Sequence, residues 1–203
     1  MIAYLLIIFF SMILIVLSNV IFRSSYYLNE GVLSLINIVC MAVIFAFIID
    51  MIVSAIVMVL PSGINKPFRK VYKWEKNFYN KLKIKSWKDY IPIGRGPIFI
   101  GMKKDSVYNP KDLHYLHKLI DECYRAEIMH LISMFMGFGV LLILPKEVML
   151  IVSLPVCIVN MFLQYLPFIV QRYNIPKLEL LYERNMRCEN QHSANDSITN
   201  LSK

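Results

Sequence analysis

Arg125-Ala126-Glu127-Ile128-Met129-His130 runs directly into Leu131–Leu144, LISMFMGFGVLLIL, which carries no charged residue. The fold turns on this junction, where a charged segment continues into an apolar helix long enough to enter a bilayer. Glu127 and His130 are three residues apart and project from one helix face. An acid and an imidazole are costly at the mouth of a membrane helix, so their presence calls for a reason.

Outward from that junction, three more apolar runs define the class. Met1–Phe22 is uninterrupted and about long enough to cross a bilayer, and with no basic n-region or small-residue cleavage site it reads as a retained helix. Leu35–Leu60 is the second run, reached through a polar connection over 23–34 and stopped by Pro61-Ser62-Gly63. Val148–Val170 is the last, joined to the third at Pro145 by so short a turn that the two helices must be antiparallel neighbours. With 57% hydrophobic residues over 203 positions, the expectation is an all-α membrane protein. It has four transmembrane helices (about 1–22, 35–60, 127–144 and 148–170), a basic insert over 61–126 and a disordered tail over 189–203.

The net charge of +8 is concentrated in the insert. Basic loops stay in the cytoplasm, which places both termini inside and predicts a multi-pass protein of the cell membrane. Within the insert, Val71, Trp74, Phe78 and Leu82 recur at helical spacing among lysines, as in a helix lying among anionic headgroups. A basic stretch tethered between two spans has membrane lipid as its nearest anionic partner, so nucleic acid is not expected. Gly94-Arg95-Gly96 lacks phosphate-loop spacing. Asn109-Pro110 reads as the start of the next helix, with Asp112 in its first turn. His114 and His117 are three apart and could suggest a metal with Glu122 or Glu127, but no thiolate or third histidine stands at fixed spacing, and they read as interface residues. The cysteines, Cys40, Cys123, Cys157 and Cys188, show neither disulfide nor metal spacing.

Asp50 is the ionisable residue of the second run. It is either a functional carboxylate or a protonated one bonded to a neighbouring helix for packing. Counting from Lys146 at about 1.5 Å per residue puts His130 roughly 24 Å from the turn, a depth reached by the last helix near Phe162. Gln164 is then level with Glu127 and His130, and Asn160 lies slightly deeper. Arg125, Gln171, Arg172 and Asn174 fall at the cytoplasmic mouth. Pro155 and Pro167 break the hydrogen-bond ladder of the last helix, and Ser, Gln or water is expected to satisfy the freed carbonyls.

Trp87-Lys88-Asp89 with Pro92, then Arg125-Ala126-Glu127-x-x-His130, then Gln171-Arg172-Tyr173-Asn174-x-Pro176-x-Leu178 resembles the glycosyl-4,4'-diaponeurosporenoate acyltransferases. These are small bacterial membrane enzymes that esterify a sugar hydroxyl of a carotenoid glycoside with a fatty acyl chain, late in staphyloxanthin-type biosynthesis. The resemblance covers about residues 68–180. Ile175 and Lys177 stand where the pattern has arginine, and Gln164 where it has asparagine, departures that bear on the acceptor. The resemblance implies an acyl thioester donor, acyl-CoA or an acyl carrier protein, and a lipid-like hydroxyl acceptor. Trp87, Lys88 and Asp89 join Arg125, Gln171, Arg172 and Asn174 as substrate-binding candidates.

Attack of a hydroxyl on a thioester requires a base, and an imidazole suits that task near neutral pH. His130 is the candidate base and Glu127 its acidic partner. Gln164, Asn160 and Gln171 offer amide donors for the developing oxyanion, and Arg125 and Arg172 offer cations for donor phosphates. No serine or cysteine stands beside His130 in a nucleophile setting, which favours direct transfer, and the chemistry calls for no cofactor or metal. Two other readings are an intramembrane metal-dependent hydrolase built on Glu127, His130, Glu122 and Asp50, and a non-enzymatic membrane partner. Without a catalytic role, Glu127 and His130 would anchor an interfacial helix.

Overall fold

The computed structural model describes residues 2–60, 72–88, 91 and 109–201. Among these, four helical segments are long and apolar enough to cross a membrane: Tyr4–Ile21, Ser25–Val59, Leu113–Ile143 and Lys146–Gln191. Helices α1 (Ile2–Ile21), α2 (Ser25–Val59), α3 (Lys73–Lys81), α4 (Ile84–Trp87), α5 (Leu113–Met136), α6 (Val140–Ile143) and α7 (Leu154–Leu201) follow in chain order. The chain divides into two compact units, with boundaries after Ala126 in α5 and after Phe168 in α7.

The first unit comprises α1, α2 and residues 127–168. The connection expected over 23–34 shrinks to a turn at 22–24, because Ser24 accepts the Tyr27 N–H at 3.3 Å and caps a helix there. Gly31, at φ +81°, then breaks that helix before the apolar run begins. Leu35, Val39, Ala42 and Ala46 form one buried stripe of α2, packed with Val140, Leu144, Val148, Val152 and Val156. Farther along α2, Val53 and Val57 pack with Ile128. Phe9, Phe10, Leu14, Met51 and Leu142 are exposed, as apolar groups facing lipid tails are.

Polar satisfaction fixes how α1 lies on the last span. The chain passes from Pro145 through a 3-10 turn (Lys146–Val148) and a π-helical segment (Met149–Ser153) into α7. Pro155 has no N–H to give to the carbonyls of the preceding π-helical turn, and Asn19 Nδ2 donates to one of them, that of Ile151, at 2.9 Å. Pro167 likewise frees the Leu163 carbonyl, which accepts the Tyr4 hydroxyl at 3.2 Å. Both proline gaps are therefore filled by side chains of α1, not by the serine, glutamine or water expected from the sequence. The pairings 4 with 163 and 19 with 151 run in opposite directions, so α1 is antiparallel to this part of α7.

In the second unit, α5 begins where Asp112 accepts the Tyr115 N–H at 3.0 Å, as its N-cap. Leu119, Ile120, Cys123 and Tyr124 pack with Ile175, and Tyr124 donates to Glu179 at 2.8 Å. His117 lies 3.5 Å from Asp121 and against the Tyr182 ring. On α3, Trp74 and Phe78 are exposed while Glu75 and Tyr79 are buried. Helix α7 continues to Leu201, through the polar stretch expected to be disordered from Glu189 onward. A helix already nucleated and packed extends at little cost through residues without a breaker, and no Pro or Gly follows Pro176.

The proline gaps give a stability test. Replacing Asn19 with Leu strands the Ile151 carbonyl and is expected to destabilise the detergent-solubilised protein by about 0.5–2 kcal/mol. Introducing Pro155→Ala as well returns an N–H to the carbonyls of that turn, so thermal unfolding should show the Asn19→Leu penalty shrinking in the double variant. Additive effects would contradict the assignment.

Candidate active site

Four side chains of the first unit form a hydrogen-bonded chain. His130 Nδ1 lies 2.7 Å from Gln164 Oε1. Gln164 Nε2 donates to Asp50 Oδ2 at 2.6 Å, and Asn160 Nδ2 lies 3.5 Å from Asp50 Oδ1. Ser133 bears on the same carboxylate. The helical register explains the contacts: α5 carries His130 and Ser133 at i, i+3, α7 carries Asn160 and Gln164 at i, i+4, and α2 contributes Asp50.

Local backbone makes room for the chain. Gly137 opens a 3-10 turn at the end of α5, and a Cβ there would stand 2.5 Å from Asn160 Nδ2. Its carbonyl accepts the Cys157 thiol at 3.3 Å. Asn160 thus occupies space that only glycine leaves free.

His130, Asp50, Asn160 and Gln164 line a cavity of about 190 Å³. Its remaining wall is mainly apolar, with Ile8, Met12, Phe47 and Leu163 among the lining residues, together with the Tyr4 and Ser11 hydroxyls. The site therefore joins an imidazole and a carboxylate to a slot suited to hydrocarbon. The level predicted for Gln164 matches the observed contact. Asp50, which the sequence left between two readings, is the carboxylate at the end of the His130–Gln164 chain, whereas Glu127 was expected to be the acidic partner. Glu127 is 1% exposed. Gln164 and Asn160, expected as oxyanion donors, direct their amide nitrogens at Asp50, and each –NH2 keeps a second hydrogen. Among the described residues no three His, Cys, Asp or Glu are grouped so as to hold a metal ion.

The remaining candidates belong to the second unit. Arg172, expected to hold an anionic part of the donor, has Glu75 as its counter-ion: Nε donates to Oε2 at 2.8 Å and Nη2 to Oε1 at 3.2 Å. Glu75 also accepts the Tyr79 hydroxyl at 3.0 Å and the Tyr72 N–H at 3.2 Å. Burial pushes the Glu75 carboxyl upward, but the Arg172 guanidinium and the other two donors outweigh it and hold the carboxyl below its ordinary value. Burial and the adjacent Glu75 charge raise the Tyr79 phenol. Gln171 is buried and Asn174 is half-buried. Between them, Tyr173 carries the Lys177 ammonium 3.4 Å from its ring centroid. The Trp87 indole donates to the Leu82 carbonyl at 2.8 Å at the end of α3. Arg125 and Lys88 are half-buried. Asp89, Pro92 and the Gly94–Pro97 turn lie outside the described residues.

The family model for glycosyl-4,4'-diaponeurosporenoate acyltransferase matches residues 64–184. The chain belongs to this family. A member from Staphylococcus haemolyticus (strain JCSC1435), named glycosyl-4,4'-diaponeurosporenoate acyltransferase, is 36% identical over 124 residues, spanning 59% of this chain and 68% of that protein. No solved structure matches. The family match contains His130, Asn160 and Gln164, while Asp50 and the cavity-lining residues of α1 and α2 lie outside it.

Glu75→Gln removes the carboxylate charge that faces Arg172 and should destabilise the protein near neutral pH, by at most about 3–5 kcal/mol. A carboxyl whose pKa is lowered on folding adds stability above its unfolded value, about 4.3, and loses it as pH falls through the lower folded value. Unfolding curves of the two proteins should therefore be far apart at pH 7 and begin to draw together as pH falls below about 4.3. Parallel curves down to pH 3 would show that the pair contributes nothing.

Proposed function

We propose that this protein moves a fatty acyl chain from an acyl thioester to a hydroxyl of a lipid-like acceptor, a glycosylated carotenoid being the reading that the family supports. One observation carries the site assignment: His130 is held through Nδ1 at the edge of a largely apolar cavity.

In the reaction, Nε2 of His130 takes the proton of the acceptor hydroxyl as its oxygen attacks the thioester carbonyl. The tetrahedral intermediate then collapses, the C–S bond breaks, and the imidazolium returns the proton to the departing thiolate. The products are an ester and a free thiol, and His130 is regenerated without an acyl-enzyme. The second amide hydrogens of Asn160 and Gln164 are the candidate donors to the oxyanion. Glu127 supplies negative charge one helical turn from the imidazole. The apolar wall receives hydrocarbon and keeps water from the thioester.

The donor is an acyl-CoA or an acyl carrier protein, bound from the cytoplasmic side where both termini lie. Arg125, Gln171, Asn174, Trp87, Lys88 and Asp89 are the candidate contacts for its polar part. Arg172 assists by fixing Glu75, so Arg172→Ala is expected to lower stability before it alters donor affinity.

The test uses the full chain in nanodiscs with palmitoyl-CoA and glycosyl-4,4'-diaponeurosporenoate, following the esterified product by mass spectrometry. Wild type should add one acyl mass. His130→Gln should reduce kcat by about 10²–10⁴ while the protein stays inserted and folded. Glu127→Gln should lower kcat by a smaller factor. A His130→Gln variant with wild-type turnover would eliminate the general-base assignment.

A further inference from the structure

Asp50 stands outside the residues matched by the family model, and the mechanism above gives it no role. It nonetheless receives the shortest hydrogen bond of the polar chain, 2.6 Å from Gln164 Nε2. We propose that Asp50 is a positioning residue for the transfer: acting through Gln164, it fixes His130 in the tautomer whose Nε2 can accept a proton. This rests on His130 being the base.

An ionised carboxylate accepts hydrogen bonds and donates none, and both the Gln164 and Asn160 amide nitrogens are turned toward Asp50. With its nitrogen committed to Asp50, the Gln164 amide must present its oxygen to His130. An oxygen 2.7 Å from Nδ1 requires Nδ1 to carry the hydrogen. The lone pair of the neutral ring then sits on Nε2. When Nε2 takes a proton, the imidazolium faces the Gln164 carbonyl dipole, with the Asp50 charge one residue beyond.

The chain has a direction, and the carboxylate sets it. An asparagine at position 50 can donate as well as accept. The Gln164 amide is then free to turn over, present its –NH2 to Nδ1 and move the proton to Nε2, which can no longer act as a base. Asn160, held in the hollow at Gly137, keeps the carboxylate in place from its other side.

The experiment uses full-length protein in nanodiscs, labelled with ring-15N histidine, with the His130 signals assigned by their loss in His130→Gln. In wild type Nδ1 should be protonated and Nε2 bare. Asp50→Asn should shift the population toward the Nε2–H form and lower kcat about 10²–10⁴-fold, with KM changed less than about 2-fold. In a Gln164→Leu background the same substitution should cost little more than Gln164→Leu alone, because the link is already cut. If Asp50→Asn does not fold, Gln164→Leu with Asp50 intact must itself abolish the tautomer preference. An unchanged tautomer in both variants, or equal Asp50→Asn costs with and without Gln164, overturns the proposal. A His130→Gln variant with full turnover overturns instead the reading on which it rests, whereas an inactive His130→Gln with unaltered Asp50→Asn turnover removes Asp50 alone.

Discussion

A carboxylate inside a helix as apolar as α2 must find its donors within the protein, and the Asp50 interaction with Gln164 meets that requirement in the first unit. The consequences reach three helices. Gln164 is held on the face of α7 that meets α2, His130 on α5 is drawn to the amide oxygen, and Asn160 must fit where Gly137 has no side chain. Loss of one partner leaves the others without a hydrogen-bond partner beside a mainly apolar wall, so the chain is held as a set.

The same rule governs the first helix. Prolines in a span leave carbonyls unpaired, and the two in this stretch of the last helix find donors in Asn19 and Tyr4 of α1. Because Tyr4 also lines the cavity, the bond that satisfies Leu163 fixes one wall of the site. The second unit uses the alternative solution of a charge paired with a charge, Glu75 gathering four hydrogen bonds, two of them from Arg172.

Much of this was legible in the residues. Unbroken apolar length marked the four spans, and rise per residue from the Pro145 turn placed Gln164 beside His130. What stayed hidden depended on how helices distant in sequence rotate about their axes. Nothing near Asp50 says that it faces Gln164, or that it rather than Glu127 ends the chain leading from His130. Polar residues inside the first run, Tyr4 and Asn19, were the available signal for the proline gaps, since each is uncomfortable in lipid without an acceptor. The span boundaries near 23–34 were missed because hydropathy falls there while the backbone remains helical, started by Ser24 and interrupted only at Gly31. Beyond Glu189 the residue composition points to disorder while α7 continues to Leu201, because composition does not register that a helix feeds into the tail.

General-base transfer requires the acceptor hydroxyl to come to rest beside His130. An experimental structure with the glycosylated acceptor and a non-transferable thioether analogue of the acyl donor measures this directly. The hydroxyl is expected within about 2.6–3.2 Å of His130 Nε2, with hydrocarbon in the cavity bounded by α1 and α2. An acceptor bound with its hydroxyl away from His130, and that cavity empty of hydrocarbon, would contradict it.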